Sequence, residues 1–170
     1  CDINELASEG IITIEKEVAG GGANNAYINF EKEILLTSSF DVRLNPGNQD
    51  DHGVFNLNSS ILYIKGNLTV DNIRTLSSDT DRISPGFILV EGDIDLSVAT
   101  DPWTIDNVVV IAKNNILMDP FNKNRNTLQG ENFMMLALNN NNQNTTSFDD
   151  FVLSNNLDTI YSYCVSEETH

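Results

Sequence analysis

Residues 61–70 read Ile-Leu-Tyr-Ile-Lys-Gly-Asn-Leu-Thr-Val: four apolar residues, a three-residue polar step, and a second alternating run. Leu62 and Ile64 before the step, and Leu68 and Val70 after it, fall two apart, the period of a strand whose side chains alternate between two faces. Gly66 and Asn67 occupy the step, where the sequence predicts a corner that wants residues tolerant of positive φ. The stretch therefore reads as two strands joined by a tight bend.

Working outward, the same pattern recurs as IITIEKEVAG from Ile11, YINFEKEILL from Tyr27, FILVEGDIDL from Phe87, VVVIAKNNIL from Val108 and FMMLALNNNN from Phe133. Starts are separated by 16, 34, 26, 21 and 25 residues. A mean spacing of about 24 lies within the range of stacked repeat units. In every copy the second and fourth residues are apolar, so Val109 and Ile111, like Ile88 and Val90, are expected to face inward. Pro46, Pro85, Pro102 and Pro120 fall between copies, which cuts the apolar runs to strand length and argues against helices.

The fold expected is all-β, a parallel β-helix of about six irregular rungs across residues 11–142, within a single domain of residues 1–170. An antiparallel β-sandwich is the alternative. From Thr145, the spacing of Phe148, Phe151, Val152, Leu157, Ile160 and Tyr161, with Ser147 and Asp150 as a capping pair, points to a short C-terminal helix. Residues 145–170 are expected to pack back on the solenoid.

Nine Lys+Arg against 25 Asp+Glu give a net charge of −16 and a pI near 4.1. Such a field repels phosphate backbones, so nucleic acid is not an expected partner. No apolar run approaches the roughly 20 residues of a membrane span, and no basic-then-apolar leader opens the chain, which reads as soluble and mature or trimmed. The acidic, Asn-rich, Lys-poor composition leans toward an extracellular or cell-surface location.

The rungs ILYIKGNLTV, FILVEGDIDL and VVVIAKNNILM resemble β-solenoid segments of bacterial surface proteins, including adhesins and type IV pilus-associated proteins, over about residues 11–142. The resemblance implies scaffolding or adhesion without catalysis, with other surface-protein subunits or a host or carbohydrate ligand as partners. It carries over no catalytic residue. A polysaccharide-cleaving enzyme with acids in a groove is the competing function, for which Asp93 with Asp95, or Asp50 with Asp51, are the paired carboxylates to weigh. Asp95 alternates with Ile94 and Leu96 and is expected to point to solvent.

Other chemistry finds little footing. His52 sits in the turn-like NPGNQDDHGV and reads as a solvated loop histidine; His170 is the last residue, and neither His nor Cys has zinc spacing. AGGGANNA from Ala19 lacks the lysine and spacing of a phosphate loop and reads as a flexible corner. No cofactor is expected, with calcium at Asp50 and Asp51 or at Asp79 and Asp81 as the exception, since such loops offer oxygen ligands.

Tyr63, Leu89, Val110 and Met135 hold the third position of their copies, which alternation assigns to the outer face. Strands apolar on both faces are normally covered on both. These four are therefore the expected interface, buried under the C-terminal segment or a partner. Cys1 and Cys164 are read three ways: a disulfide that would return the C-terminal segment along the solenoid, a lipid anchor at Cys1, or two unrelated thiols.

Overall fold

A computed structural model of the chain describes residues 10, 12–18, 24–31, 33–44, 52–70, 73–78, 84–96, 103–117, 128–139, 148 and 159–162. Its strands form three sheets. Sheet A holds, in spatial order, β1 (Ile12–Val18), β2 (Asn24–Phe30), β5 (His52–Asn56), β8 (Ile73–Ser77), β11 (Trp103–Asp106) and β14 (Leu128–Gln129). Sheet B runs β16 (Thr159–Ser162), β3 (Leu35–Ser38), β6 (Ile61–Ile64), β9 (Gly86–Val90), β12 (Val108–Ala112) and β15 (Met134–Ala137). Sheet C runs β4 (Val42–Leu44), β7 (Leu68–Val70), β10 (Ile94–Asp95) and β13 (Ile116–Leu117).

From β2 to β15 the chain visits A, B and C in turn, and the strands of each sheet pair in parallel with their counterparts one turn on. This is a parallel β-helix, and the parallel pairing sets aside the antiparallel sandwich. The described residues hold no helix; Thr159–Ser162, expected as helix, is a strand paired in parallel with β3. Phe151, Val152 and Leu157 lie outside the described residues.

Two of the six sequence copies do not stack as rungs of their own. IITIEKEVAG is β1, which pairs antiparallel with β2 and ends sheet A, while YINFEKEILL straddles β2 and β3. The stretch in register with ILYIKGNLTV is Leu35–Leu44, LLTSSFDVRL.

Stacking in register turns the inward residues into continuous columns. Ile28, Phe55, Leu76 and Ile105 stack on sheet A; Leu36, Leu62, Ile88 and Val110 on sheet B; Leu68 and Ile94 on sheet C. All belong to one buried core cluster. The Phe30 and Phe55 rings meet edge to face at 5.6 Å, an arrangement favoured by their quadrupoles. At roughly 25 cal/mol per Å2 of apolar surface, each buried aliphatic side chain contributes about 1.5–3 kcal/mol, so the columns carry the stability of the stack.

In the core, eight of the expected inward residues, Leu62, Ile64, Leu68, Val70, Ile88, Val90, Ile94 and Leu96, are buried together. Val109 and Ile111 are not. β12 pairs with β9 as Val108 with Gly86, Val110 with Ile88 and Ala112 with Val90, so Val108, Val110 and Ala112 face in. The strand sits one residue away from the register the sequence suggests, and a one-residue slip exchanges the two faces.

The B-to-C corner is built by close approach of backbones. A Cβ on Gly66 would lie 2.6 Å from the Asp41 backbone nitrogen, and one on Gly92 would lie 2.8 Å from the Gly66 carbonyl oxygen. These positions need glycine for space; the positive φ values fall instead on Asn58, Ser59, Asn107, Asn132, Asn139, Gly10 and Gly130.

Candidate interaction surface

Beside Gly66 and Gly92, the corner carries a side-chain ladder. The Asn67 backbone N–H and side-chain amide donate to Asp41 Oδ1 at 2.7 and 3.2 Å. The Asp93 N–H donates to Asn67 Oδ1 at 2.9 Å, and the Asn115 N–H and side-chain amide both donate to Asp93 Oδ1 at 3.0 Å. Alternation of Asp with Asn places an amide donor over each carboxylate and keeps like charges two turns apart. Asp93, weighed above as half of a carboxylate pair, is thus a structural rung, and Asp95 projects outward between the buried Ile94 and Leu96. Among the described residues no group of three His, Cys, Asp or Glu could hold a metal ion.

The outer face of sheet B is apolar along two columns. One runs Leu35, Ile61, Phe87, Val109, Met134; the other Thr37, Tyr63, Leu89, Ile111, Leu136. Leu35, Ile61, Tyr63 and Leu89 are buried as a second cluster, with Phe87, Ile111 and Phe148 packed against it. Phe148 meets the Tyr63 ring edge to face at 6.3 Å.

Glu91 fixes this contact. Its Oε1 accepts from the Tyr63 hydroxyl at 2.8 Å and the Phe148 backbone N–H at 3.0 Å, and its Oε2 lies 2.6 Å from Lys113 Nζ. Hydrogen bonds to an ionised acceptor are the stronger kind, and Glu91 keeps little exposure, so the latch is shielded from solvent. The Lys65 ammonium sits 5.6 Å from the Tyr63 ring centroid.

Cover thins toward the C-terminal turns. Phe87, Val109 and Ile111 are half-buried, whereas Met134 and Leu136 are 54% and 41% exposed. Leu138 and Leu117 are exposed as well. The apolar stripe therefore emerges from cover at the last turn.

Of the residues expected to form the interface, Tyr63 and Leu89 lie on this outer face, in its covered half. Val110 and Met135 do not: the register of β12 and β15 turns them inward, Val110 into the main core and Met135 against it. The outer positions belong to Val109, Ile111, Met134 and Leu136. Glu91 and Asp41 were not singled out by the sequence, Phe148 was read as part of a helix, and Asn67 and Asp93 were read without their hydrogen bonds; the recurrence of Asp or Asn at the third position of each polar step was the readable signal for the ladder.

Several expected site residues lie outside the described residues: Asp50, Asp51, Asp79 and Asp81 of the calcium loops, Cys1 and Cys164, and His170. His52 opens β5, paired with Asn25, and is strand where a loop was expected. No protein-family model, curated protein or solved structure matches the chain.

Proposed function

We propose that the chain is a structural or adhesive module of an extracellular or bacterial cell-surface protein, comparable in role to the solenoid segments of adhesins and pilus-associated proteins, and that it works by binding or assembly. The observation that carries this reading is the apolar outer stripe of sheet B, buried around Tyr63 and Leu89 and exposed at Met134 and Leu136. An exposed apolar patch on a soluble fold is expensive to keep unless something docks there. The stacked columns and the corner ladder support it with a scaffold that holds such a surface in place without a ligand.

Antibody labelling of intact and permeabilised source cells tests the location: labelling of intact cells is expected, and labelling only after permeabilisation overturns it. Incubation of the purified chain with a panel of acidic and neutral polysaccharides tests the mode of action. No new reducing ends are expected; their release would replace binding with the polysaccharide-cleaving alternative.

A further inference from the structure

Phe148 sits on the outer face of sheet B, donating its N–H to Glu91, 57 residues earlier in the chain. The surface that receives it is built entirely by the stack. The Glu91 N–H donates to the Ile64 carbonyl oxygen at 2.9 Å, and the Lys113 N–H to that of Val90 at 2.8 Å, so both backbones are fixed by neighbouring turns. The Glu91 carboxylate is in turn aimed by the Lys113 ammonium and the Tyr63 hydroxyl. Tyr63 pairs with Leu89, and Leu89 with Ile111, through the regular ladder of β6, β9 and β12. Phe148 itself belongs to no strand, and its side chain is half-buried.

Undocking Phe148 therefore breaks a ring contact and a bond to a carboxylate but no strand pairing. Contacts of that kind belong to the low-stability end of a fold, which opens while the rest stays intact. What opening uncovers is specific. The cluster of Leu35, Ile61, Tyr63 and Leu89 continues through Phe87 and Ile111 to the exposed Met134 and Leu136, so one apolar stripe is shut at one end and open at the other. Glu91 would remain in place, its Oε1 facing the position that a backbone N–H had filled.

We infer that Phe148 is an autoinhibitory plug: it leaves Tyr63 and Glu91 while the solenoid stays folded, and its release extends the interaction surface from Met134 and Leu136 to Tyr63 and Leu89. The inference rests on the binding reading above and adds its regulation. The plug and a partner compete for one face, so a partner that binds only the open form shifts the population toward it by its differential affinity. Glu91 sets the balance, because a carboxylate is a stronger acceptor than a neutral amide for the Phe148 N–H.

Amide hydrogen exchange of the unaltered full chain, in urea kept below its unfolding transition, is the test. The Phe87 and Glu91 N–H groups, bonded to Ser60 and Ile64 within the stack, serve as the reference. Phe148 N–H is expected to be protected, yet to exchange roughly a hundredfold faster than they do and with little dependence on urea, since local opening exposes little surface. Glu91→Gln should speed exchange at Phe148 and leave Phe87 unchanged. Exchange at Phe148 that matches the reference amides in rate and urea dependence overturns the inference, because the plug would then leave only on global unfolding; a Phe148 N–H without protection overturns it too. The second readout is the apolar dye bis-ANS. Phe148→Ala, with an unchanged circular dichroism spectrum, is expected to bind several-fold more dye than the unaltered chain, and equal binding would show that no surface is uncovered. Failure of either readout leaves the open end at Met134 and Leu136, and the location and polysaccharide assays above are read without reference to Phe148, so the two readings fail separately.

Discussion

Asn67 stands between two carboxylates, donating to Asp41 and accepting from Asp93. Asn67→Asp removes the side-chain donor and aligns three acids along one corner. The introduced carboxylate has like charges on both sides, which raises its pKa in the folded chain above the unfolded value of about 3.9. A raised folded pKa means that the native state holds the proton more tightly. The variant is therefore penalised above that pKa and recovers as pH falls toward 4. Urea denaturation at pH 7 is expected to show a loss of about 1–2 kcal/mol, combining one lost hydrogen bond with like-charge contact at a partly exposed site, and the deficit should shrink at pH 4. A deficit independent of pH would mean that charge is not what the alternation manages. At the adjacent position, Gly66→Ala pushes a methyl group into the backbone of Phe40 and Asp41, and a loss of roughly 1–3 kcal/mol is expected.

At the scale of one strand, β12 decides which face is which. Val109 and Val110 are chemically identical neighbours, yet Val110 is 2% exposed in the core and Val109 half-buried on the outside. Val110→Asp should abolish cooperative unfolding, because an unpaired charge in the core costs several kcal/mol, while Val109→Asp should keep a cooperative transition at modest cost. The reverse order would return the strand to the register suggested by its sequence. Three valines in a row carry no alternation, so periodicity could not choose between the two faces. The register is fixed by the pairing of Val108 with Gly86 and Val110 with Ile88, and Asn107, at φ 55°, turns β11 directly into β12. A similar lack of contrast hid Leu35–Leu44, where Thr37 and Ser38 replace the apolar pair, and Ser38 is buried because its Oγ bonds the Phe40 carbonyl oxygen at 2.9 Å. Spacing also suggested a helix at Ile160 and Tyr161; pairing with β3, more than a hundred residues away, makes that segment a strand. Corners at Gly66 and Gly92 were legible by residue type, although the reason is contact and not φ.

Over the whole molecule, strand period and the mean repeat spacing were enough to read a parallel solenoid, since both survive loops of uneven length. The third strand of each turn, on sheet A, was not read: segments such as HGVFN and WTID look like inserts between copies and acquire their identity only from stacking. The outer surface was harder, because whether an outward apolar residue is covered depends on contacts remote in sequence, such as Phe148 on Tyr63. The functional proposal therefore depends on the register of sheet B, which decides that Val109, Ile111, Met134 and Leu136 look outward. Phe87 and Val109 are paired neighbours on that outer face, whereas Val108 pairs with Gly86 and faces the core. Adjacent strands place Cα atoms about 4.8 Å apart, within reach of a disulfide when both side chains share a face. In a chain with Cys1 and Cys164 replaced by serine, oxidation of the double variants Phe87→Cys with Val109→Cys, and Phe87→Cys with Val108→Cys, is the most direct test: the first pair should close to a disulfide and the second stay reduced, and closure of the second pair with the first left open would contradict the register and the surface drawn from it.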